Sequence, residues 1–338
     1  MINVGVIGVG TEWEEFLPVL DMLRKPVGVC AVYDSVRARA EQAAVSLSAA
    51  TATGLSQLAG RHDVQAMLLL ESGWAGEFSL DVLSRCSKPV FIRPWLPASA
   101  AFYERIFDRA SHAGLMLMPA MWRRFMPSAM RLQELFATNL GQPVRVNLQL
   151  DLSDCSGGTS EQIVGWLDFC RNLFRSYPEG ARLEPNDGRS LTLLVDYPMK
   201  DSTLPQRQAR LTVSAQGCDL EQIRQRLREA VSSIHASRGV GSNGQPVTKT
   251  ERFPEVICEC ETGLATLLDR TNLTWQREGD GIGPGEAGVR TKEELSSERT
   301  ESQVMLDLFC RRLVGGLVPV ADFSDISRAL RLVESVCE

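Results

Sequence analysis

Residues 3–20 read NVGVIGVGTEWEEFLPVL. An apolar run containing Val4, Val6 and Ile7 meets two glycines in the spacing Gly8-x-Gly10, and an acidic, helix-forming segment follows. A buried strand, a tight turn and a helix start, in that order, make the phosphate-binding corner of a dinucleotide fold. Such a corner works because the start of the helix offers unpaired N–H groups and a partial positive charge. Here the turn leads into Thr11-Glu12-Trp13-Glu14-Glu15. Thr11 and Glu14 have the S/T-x-x-E spacing of a capping box, which predicts that the orphan N–H groups are satisfied from within the chain. Three glutamates in the first turn suit the helix dipole, by about 0.3–1 kcal/mol each, and oppose a pyrophosphate. Trp13 takes the place of the third small residue of GxGxxG, so its indole must point into the nucleotide groove or displace the helix. The corner thus specifies an architecture more firmly than a bound dinucleotide.

The chain beyond the corner continues the alternation. VCAVYD (29–34) is a second strand ending in Asp34, about twenty residues after the glycine turn, where an acid holds a ribose diol. Asp34 also suits the start of the helix 36–48 as a cap, and the two readings are compatible. Strands follow at 63–70, 88–92 and 115–121, with helices at 76–86 and 98–113, the latter ended by Gly114. Strand and helix at this spacing make a doubly wound parallel sheet over residues 1–121. After residue 121 the pattern changes to longer alternating strands at 144–152, 190–197, 209–216, 255–262 and 264–276. Helices are read at 160–175 and 219–234, a Gly/Ser-rich loop at 235–250 and a surface excursion at 279–300. Two amphipathic helices, 301–315 and 323–336, close the chain. Residues 122–338 therefore read as an α+β domain with a mainly antiparallel open sheet, whose last helices return to the first domain.

The totals narrow the function classes. With 338 residues and 44% hydrophobic content, the chain has enough material for two domains with sizeable cores. A net charge of −6 disfavours nucleic acid and anionic membrane as partners. No apolar run reaches the length of a membrane span, and no signal peptide is read, so a cytoplasmic protein is expected. The nine cysteines are odd in number and form no CxxC pair, which points to free thiols and no metal site. Only three histidines, His62, His112 and His235, are available for acid–base chemistry. His112 stands at the end of a helix, where it compensates the dipole, and the other two read as loop residues.

The order of several segments resembles the Gfo/Idh/MocA family, the relatives of glucose–fructose oxidoreductase and inositol dehydrogenase. The segments are VGVIGVG with FLPVL ten residues on, VYDSVRARAEQAA, DVQAMLLL, KPVFIRPWLP, AGLMLMPAMWRRFMPSAMRLQELFATNLGQPV, the glycines at 157–158, and FCRRLVGGLVPVADFSDISRALRLVE. The resemblance covers most of the chain. It implies NAD(P)-dependent hydride transfer on a sugar, polyol or cyclitol bound in the cleft between the domains. It also implies an oligomer, or a complex with a paralogue, built on the second-domain sheet.

The residues expected to carry that chemistry are altered. The family's Glu-Lys-Pro segment, whose lysine polarises the reacting hydroxyl, is here Ile92-Arg93-Pro94-Trp95. Arg93 stands at the lysine if Pro94 matches the family proline, and at the glutamate in an ungapped match. A guanidinium donates hydrogen bonds and does not trade protons near neutrality. The family's Asp-x-x-x-His, which supplies the usual base, falls on Glu161 and Gly165 when Asp168 matches the following acid. After the strand ending near Leu70, the cofactor loop reads Glu71-Ser72-Gly73-Trp74 in place of the family's Thr-Pro. Glu71 there suits a ribose hydroxyl and repels a phosphate.

Candidate residues follow for each role. Gly8, Gly10, Thr11, Asp34, Glu71 and Ser72 are placed for a cofactor, with NAD favoured over NADP and Arg37 nearest for a 2′-phosphate. Arg93, Trp95 and Arg124 are placed for the substrate pocket, with Arg124 alternatively tying the domains together. Arg93, Glu161 and Asp168 are the candidates for rearranged acid–base work. Trp74, Trp95, Trp122 and Trp166 would stack a planar ligand or pack at the domain junction. A catalytically degenerate protein that senses a ligand or acts as a scaffold is the expected function, with an active oxidoreductase as the alternative.

Overall fold

A computed structural model describes residues 1–23, 26–93, 95–154, 158–186, 188–198, 206–232, 253–278, 290–296 and 298–337. The chain divides into two compact units. The first holds Met1–Trp122 and Arg299–Arg328, and the second holds Arg123–Ser232, the strands up to Glu298 and Ala329–Glu338.

The first unit is built as β1 (Ile2–Ile7), α1 (Thr11–Asp21), β2 (Val27–Tyr33), α2 (Arg37–Leu47), β3 (Ala50–Thr51) and α3 (Leu55–Gly60). It continues with β4 (Ala66–Leu69), α4 (Gly73–Leu83), β5 (Val90–Ile92), α5 (Ala100–His112) and β6 (Leu117–Pro119). Its strands pair in parallel in the order β3-β2-β1-β4-β5-β6. Val4, Val6 and Ile7 of β1 and all of Ala66–Leu69 are buried, as strands covered by helices on both sheet faces must be. Ser99 caps α5 by accepting from Phe102 N at 3.3 Å, and Gly114 ends that helix at φ 61. His112 sits in the last turn, its Nδ1 2.7 Å from the Asp108 carbonyl.

The second unit contains α6 (Pro127–Leu135), β7 (Pro143–Asp151), α7 (Thr159–Phe174), β8 (Gly180–Pro185), β9 (Ser190–Tyr197), β10 (Arg207–Ser214) and α8 (Leu220–Ser232). After these come β11 (Val256–Cys260), β12 (Gly263–Leu267), β13 (Asn272–Arg277) and β14 (Thr291–Glu294). The strand order is β14-β13-β12-β11-β7-β10-β9-β8, antiparallel except for the β7–β10 pair. Alternate residues Val146, Leu148 and Leu150 of β7 are buried, together with Cys258, Ala209 and Leu211 on the neighbouring strands. The alternate positions form a polar ladder, with Arg145 bonded to Glu259, Arg182 and Gln208 to Asp196, and Thr192 to Thr212. Helix α7 is buried at every position from Gln162 to Cys170. The chain ends with α9 (Glu301–Leu313) and α10 (Phe323–Cys337). In the first unit, Phe309 of α9 meets Phe91 of β5, and Phe323 meets Tyr103.

The α/β class with a parallel sheet and a mainly antiparallel second sheet is as the sequence predicts. Several local expectations need correction. The run 264–276 is two strands, because Asp269 accepts from Thr271 N and Asn272 N and turns the chain into a hairpin. Residues 291–294, read as a surface excursion, form edge strand β14. The loop 235–250 lies outside the described residues.

Candidate functional site

The crevice outside the carboxyl ends of β1 and β4, where the strand order reverses, is the ligand position that doubly wound sheets provide. Gly8 leaves β1 at φ 85, and a Cβ there would lie 2.6 Å from the Glu71 backbone nitrogen. Only glycine lets the two loops approach this closely. Asp34 is 6% exposed and accepts from Val9 N at 2.8 Å and from Val36 N at 2.7 Å. Its carboxylate therefore fastens the glycine loop to the end of β2. Its capping role is corrected, because α2 starts at Arg37 with Val36 in the cap position.

The capping box of Thr11 and Glu14 is likewise corrected. Thr11 is the first helical residue, Gly10 holds the cap position without a side chain, and the Glu14 N–H bonds the Gly10 carbonyl at 3.3 Å. The acidic turn is used in another way. Arg93, one residue past β5, donates through Nη1 to Glu12, and its Nη2 lies 3.4 Å from Glu15 Oε2. Its backbone N–H bonds the Leu69 carbonyl at 3.1 Å. Burial pushes the Glu12 carboxyl up, Arg93 acts against that rise, and Glu15 adds to it. Ser35 Oγ donates to Glu71 Oε1 at 2.7 Å. Ser72 occupies the cap position of α4, with no side-chain cap bond. Arg39 Nη1 comes to 3.8 Å of the place a Cβ would take on Gly10. Trp13 is buried, so the indole is covered by the unit's own packing.

The acids in the second unit are also engaged. Arg124 grips Asp168 with both Nε and Nη2, the Nε to Oδ2 distance being 2.7 Å. Arg171 Nε lies 3.6 Å from Asp168 Oδ1, and the Asp168 side chain is 1% exposed. Both Asp168 oxygens are thus engaged by arginine donors, the Arg124 pair being bidentate. Glu161 lies half-buried in the first turn of α7.

Gly165 packs against Arg123. A Cβ on Gly165 would overlap the Arg123 Nη1 atom. Arg123 is 4% exposed, donates to Gln162 Oε1 at 2.8 Å and lies 5.1 Å over the Trp166 ring. Arg123 and Gln162 were not singled out from the sequence. The signal available was the doubled arginine of Trp122-Arg123-Arg124-Phe125 beside a glycine in a helix.

The indoles serve different ends. Trp166 is buried against Phe169 and Phe253, which corrects its reading as a stacking platform. Trp74 is 73% exposed on α4, and Trp95 stands 6.2 Å from Tyr103 with its Nε1 buried and without a hydrogen-bond partner among the described residues. Pro94 lies outside the described residues. Among the described residues no group of histidine, cysteine and acidic side chains has a metal-binding arrangement, and no helix is long and apolar enough to cross a membrane.

A dinucleotide fits this arrangement poorly. The glycine turn and the positive helix end are present, but a pyrophosphate there would sit beside a first turn carrying Glu12 and Glu14, and both terminal nitrogens of Arg93 already face carboxylates.

No family model matches the chain, and no curated protein matches it. Solved structures do share its fold. A putative myo-inositol dehydrogenase from Sinorhizobium meliloti is 15% identical, covers 99% of this chain and 96% of its own, and has a TM-score of 0.65. UDP-N-acetylglucosamine 3-dehydrogenase from Acidithiobacillus ferrooxidans is 16% identical over 99% and 96%, with a TM-score of 0.66. A putative NADPH-dependent oxidoreductase from Desulfitobacterium hafniense is 12% identical over 99% and 94%, with a TM-score of 0.69. The chain thus has the fold of sugar and inositol oxidoreductases, which is the fold that the Gfo/Idh/MocA resemblance implies.

Proposed function

We propose that this protein is a redox-silent relative of the sugar and cyclitol oxidoreductases, using their fold to sense a small-molecule ligand or to act as a scaffold. The observation that carries this reading is the seat of Arg123 over Gly165. Where the resemblance calls for a histidine base, there is neither a side chain nor room for one, because a guanidinium fills the space. Neither match of the Ile92-Arg93-Pro94 segment supplies the lysine, and the charge of Arg93, which takes its place in one of them, is bound by Glu12 and Glu15. A guanidinium cannot relay a proton at neutral pH. A cytoplasmic setting, and an identical or paralogous partner, go with this proposal. The polar ladder on the second-unit sheet gives such a partner hydrogen-bonding side chains to meet.

The test is turnover. Purified protein with NAD or NADP and a panel of polyols, cyclitols and sugars is expected to form no reduced nicotinamide. The second reading is an active oxidoreductase with Arg93 as electrophile and Glu161 or Asp168 as base, and the dehydrogenases among the fold's neighbours favour it. Reduction that disappears in Arg93→Ala or Glu161→Gln would establish that reading instead.

A further inference from the structure

We propose that the ion pairs joining Arg93 to Glu12 and Glu15 are a latch that bars dinucleotides from the crevice above β1 and β4. Glu12 stands in the first turn after β1, and Arg93 directly follows β5. Strand β4 lies between β1 and β5 in the sheet, so the side chains joining them cross over its carboxyl end. That is the end at which the chain reverses its winding and a doubly wound sheet receives its ligand. Ser35 and Glu71 form a second bridge, from the end of β2 to the end of β4, the two strands that flank β1.

The latch works against an anion in two ways. Arg93 is a cation at the carboxyl end of β5, and both of its terminal nitrogens are given to carboxylates, while Arg39 Nη1 comes near Gly10 from α2. Glu12, in the first turn, itself places negative charge at the helix end that would bind a phosphate through its N–H groups, and Glu15 follows in the next turn. The Arg93 and Glu12 side chains are 27% and 31% exposed. The pair is therefore partly withdrawn from water, where an ion pair is screened less than on an open surface. A pyrophosphate entering the crevice has to displace these carboxylates from Arg93 and then sit beside them.

If the glutamates lose their charge, the same residues become a receptor. Arg93 is released to pair with phosphate oxygens, and the start of α1 regains its positive end. This rests on the redox-silent reading only for its setting, because the two fail separately. The latch is judged by binding, and the functional reading by turnover.

The experiment is calorimetric titration of the full chain with NADH, in the wild type, in Glu12→Gln/Glu15→Gln, and in the same double variant with Arg93→Gln added. The expected result is that the double variant binds NADH about tenfold more tightly than the wild type or better, and that the triple variant loses the gain. If the double variant does not fold, Glu15→Gln alone, at the 63% exposed partner, is expected to show a smaller gain of the same sign. Equal binding by the wild type and the double variant overturns the latch, whether that binding is strong or absent. A gain that survives Arg93→Gln overturns it too, because charge repulsion alone would then explain the exclusion. A fall in melting temperature with no gain in binding would reduce the pair to a tie between α1 and β5.

Discussion

Gly165 and Arg123 share one volume inside the second unit. The guanidinium occupies the volume that any residue other than glycine would claim, and its bond to Gln162 and its stacking on Trp166 limit how far it can withdraw. Gly165→Ala is expected to destabilise the chain by about 1–3 kcal/mol, as overpacking of a buried site does. In an Arg123→Ala background the same change should cost little, giving a coupling energy in a double-mutant cycle read by urea unfolding. Additive effects would mean that the two residues do not share the space. At this scale the sequence was only partly legible. It shows no histidine or lysine at the positions the resemblance points to, since an absent residue type can be read directly. It could not show what fills the space there, because Arg123 and Gly165 are far apart in the chain. Asp34 was read for a ribose, and its two backbone donors come from a loop packing that no spacing announces.

The elements were more legible where their periodicity was strong. The strands around Val4, Leu148 and Leu193 and the helices α5, α7 and α9 were found from apolar patterning alone. The misses were short or polar. Strand β3 has two residues, β8 has few apolar ones, and β14 is the tetrapeptide Thr291–Glu294. Besides its ladder with β13, strand β14 is tied down through Glu293. Arg131 of α6 donates to both Glu293 oxygens, at 2.7 and 3.1 Å, and Trp275 Nε1 donates to Oε1 at 2.7 Å. The Arg131 guanidinium, opposed by burial and helped by the Trp275 N–H, holds the Glu293 carboxyl below its usual value of 4.5. A carboxyl depressed in the folded state adds stability that is present above the unfolded value and is lost as pH falls through the folded one. Stability is therefore expected to fall below pH 4.5 in part through this group. Urea midpoints followed down through that range should fall less steeply in Glu293→Gln, and parallel curves would remove Glu293 as a contributor. Glu12, raised chiefly by its burial, has the opposite sign. Its contribution is lost as pH rises from the unfolded to the folded value.

At the scale of the whole molecule, the two sheets follow from the change of pattern near residue 121, where a parallel, doubly wound rhythm gives way to long alternating strands. The return of α9 to the first unit has a visible cause in Phe309, which completes a cluster with Phe91 and Phe16. Function was harder to read, because fold and chemistry separate here. The glycine corner retains its geometry for reasons of packing, since Gly8 must let Glu71 approach, and this requirement holds whether or not a nucleotide binds. The proposed latch and the proposed loss of proton-moving groups are separable. The most direct test of the second puts the first aside. Glu12→Gln/Glu15→Gln, saturated with NAD, is incubated with polyols, cyclitols and sugars while the absorbance of reduced nicotinamide is followed. The account predicts no reduction even with the cofactor bound. Steady formation of NADH, abolished by Glu161→Gln, would contradict it.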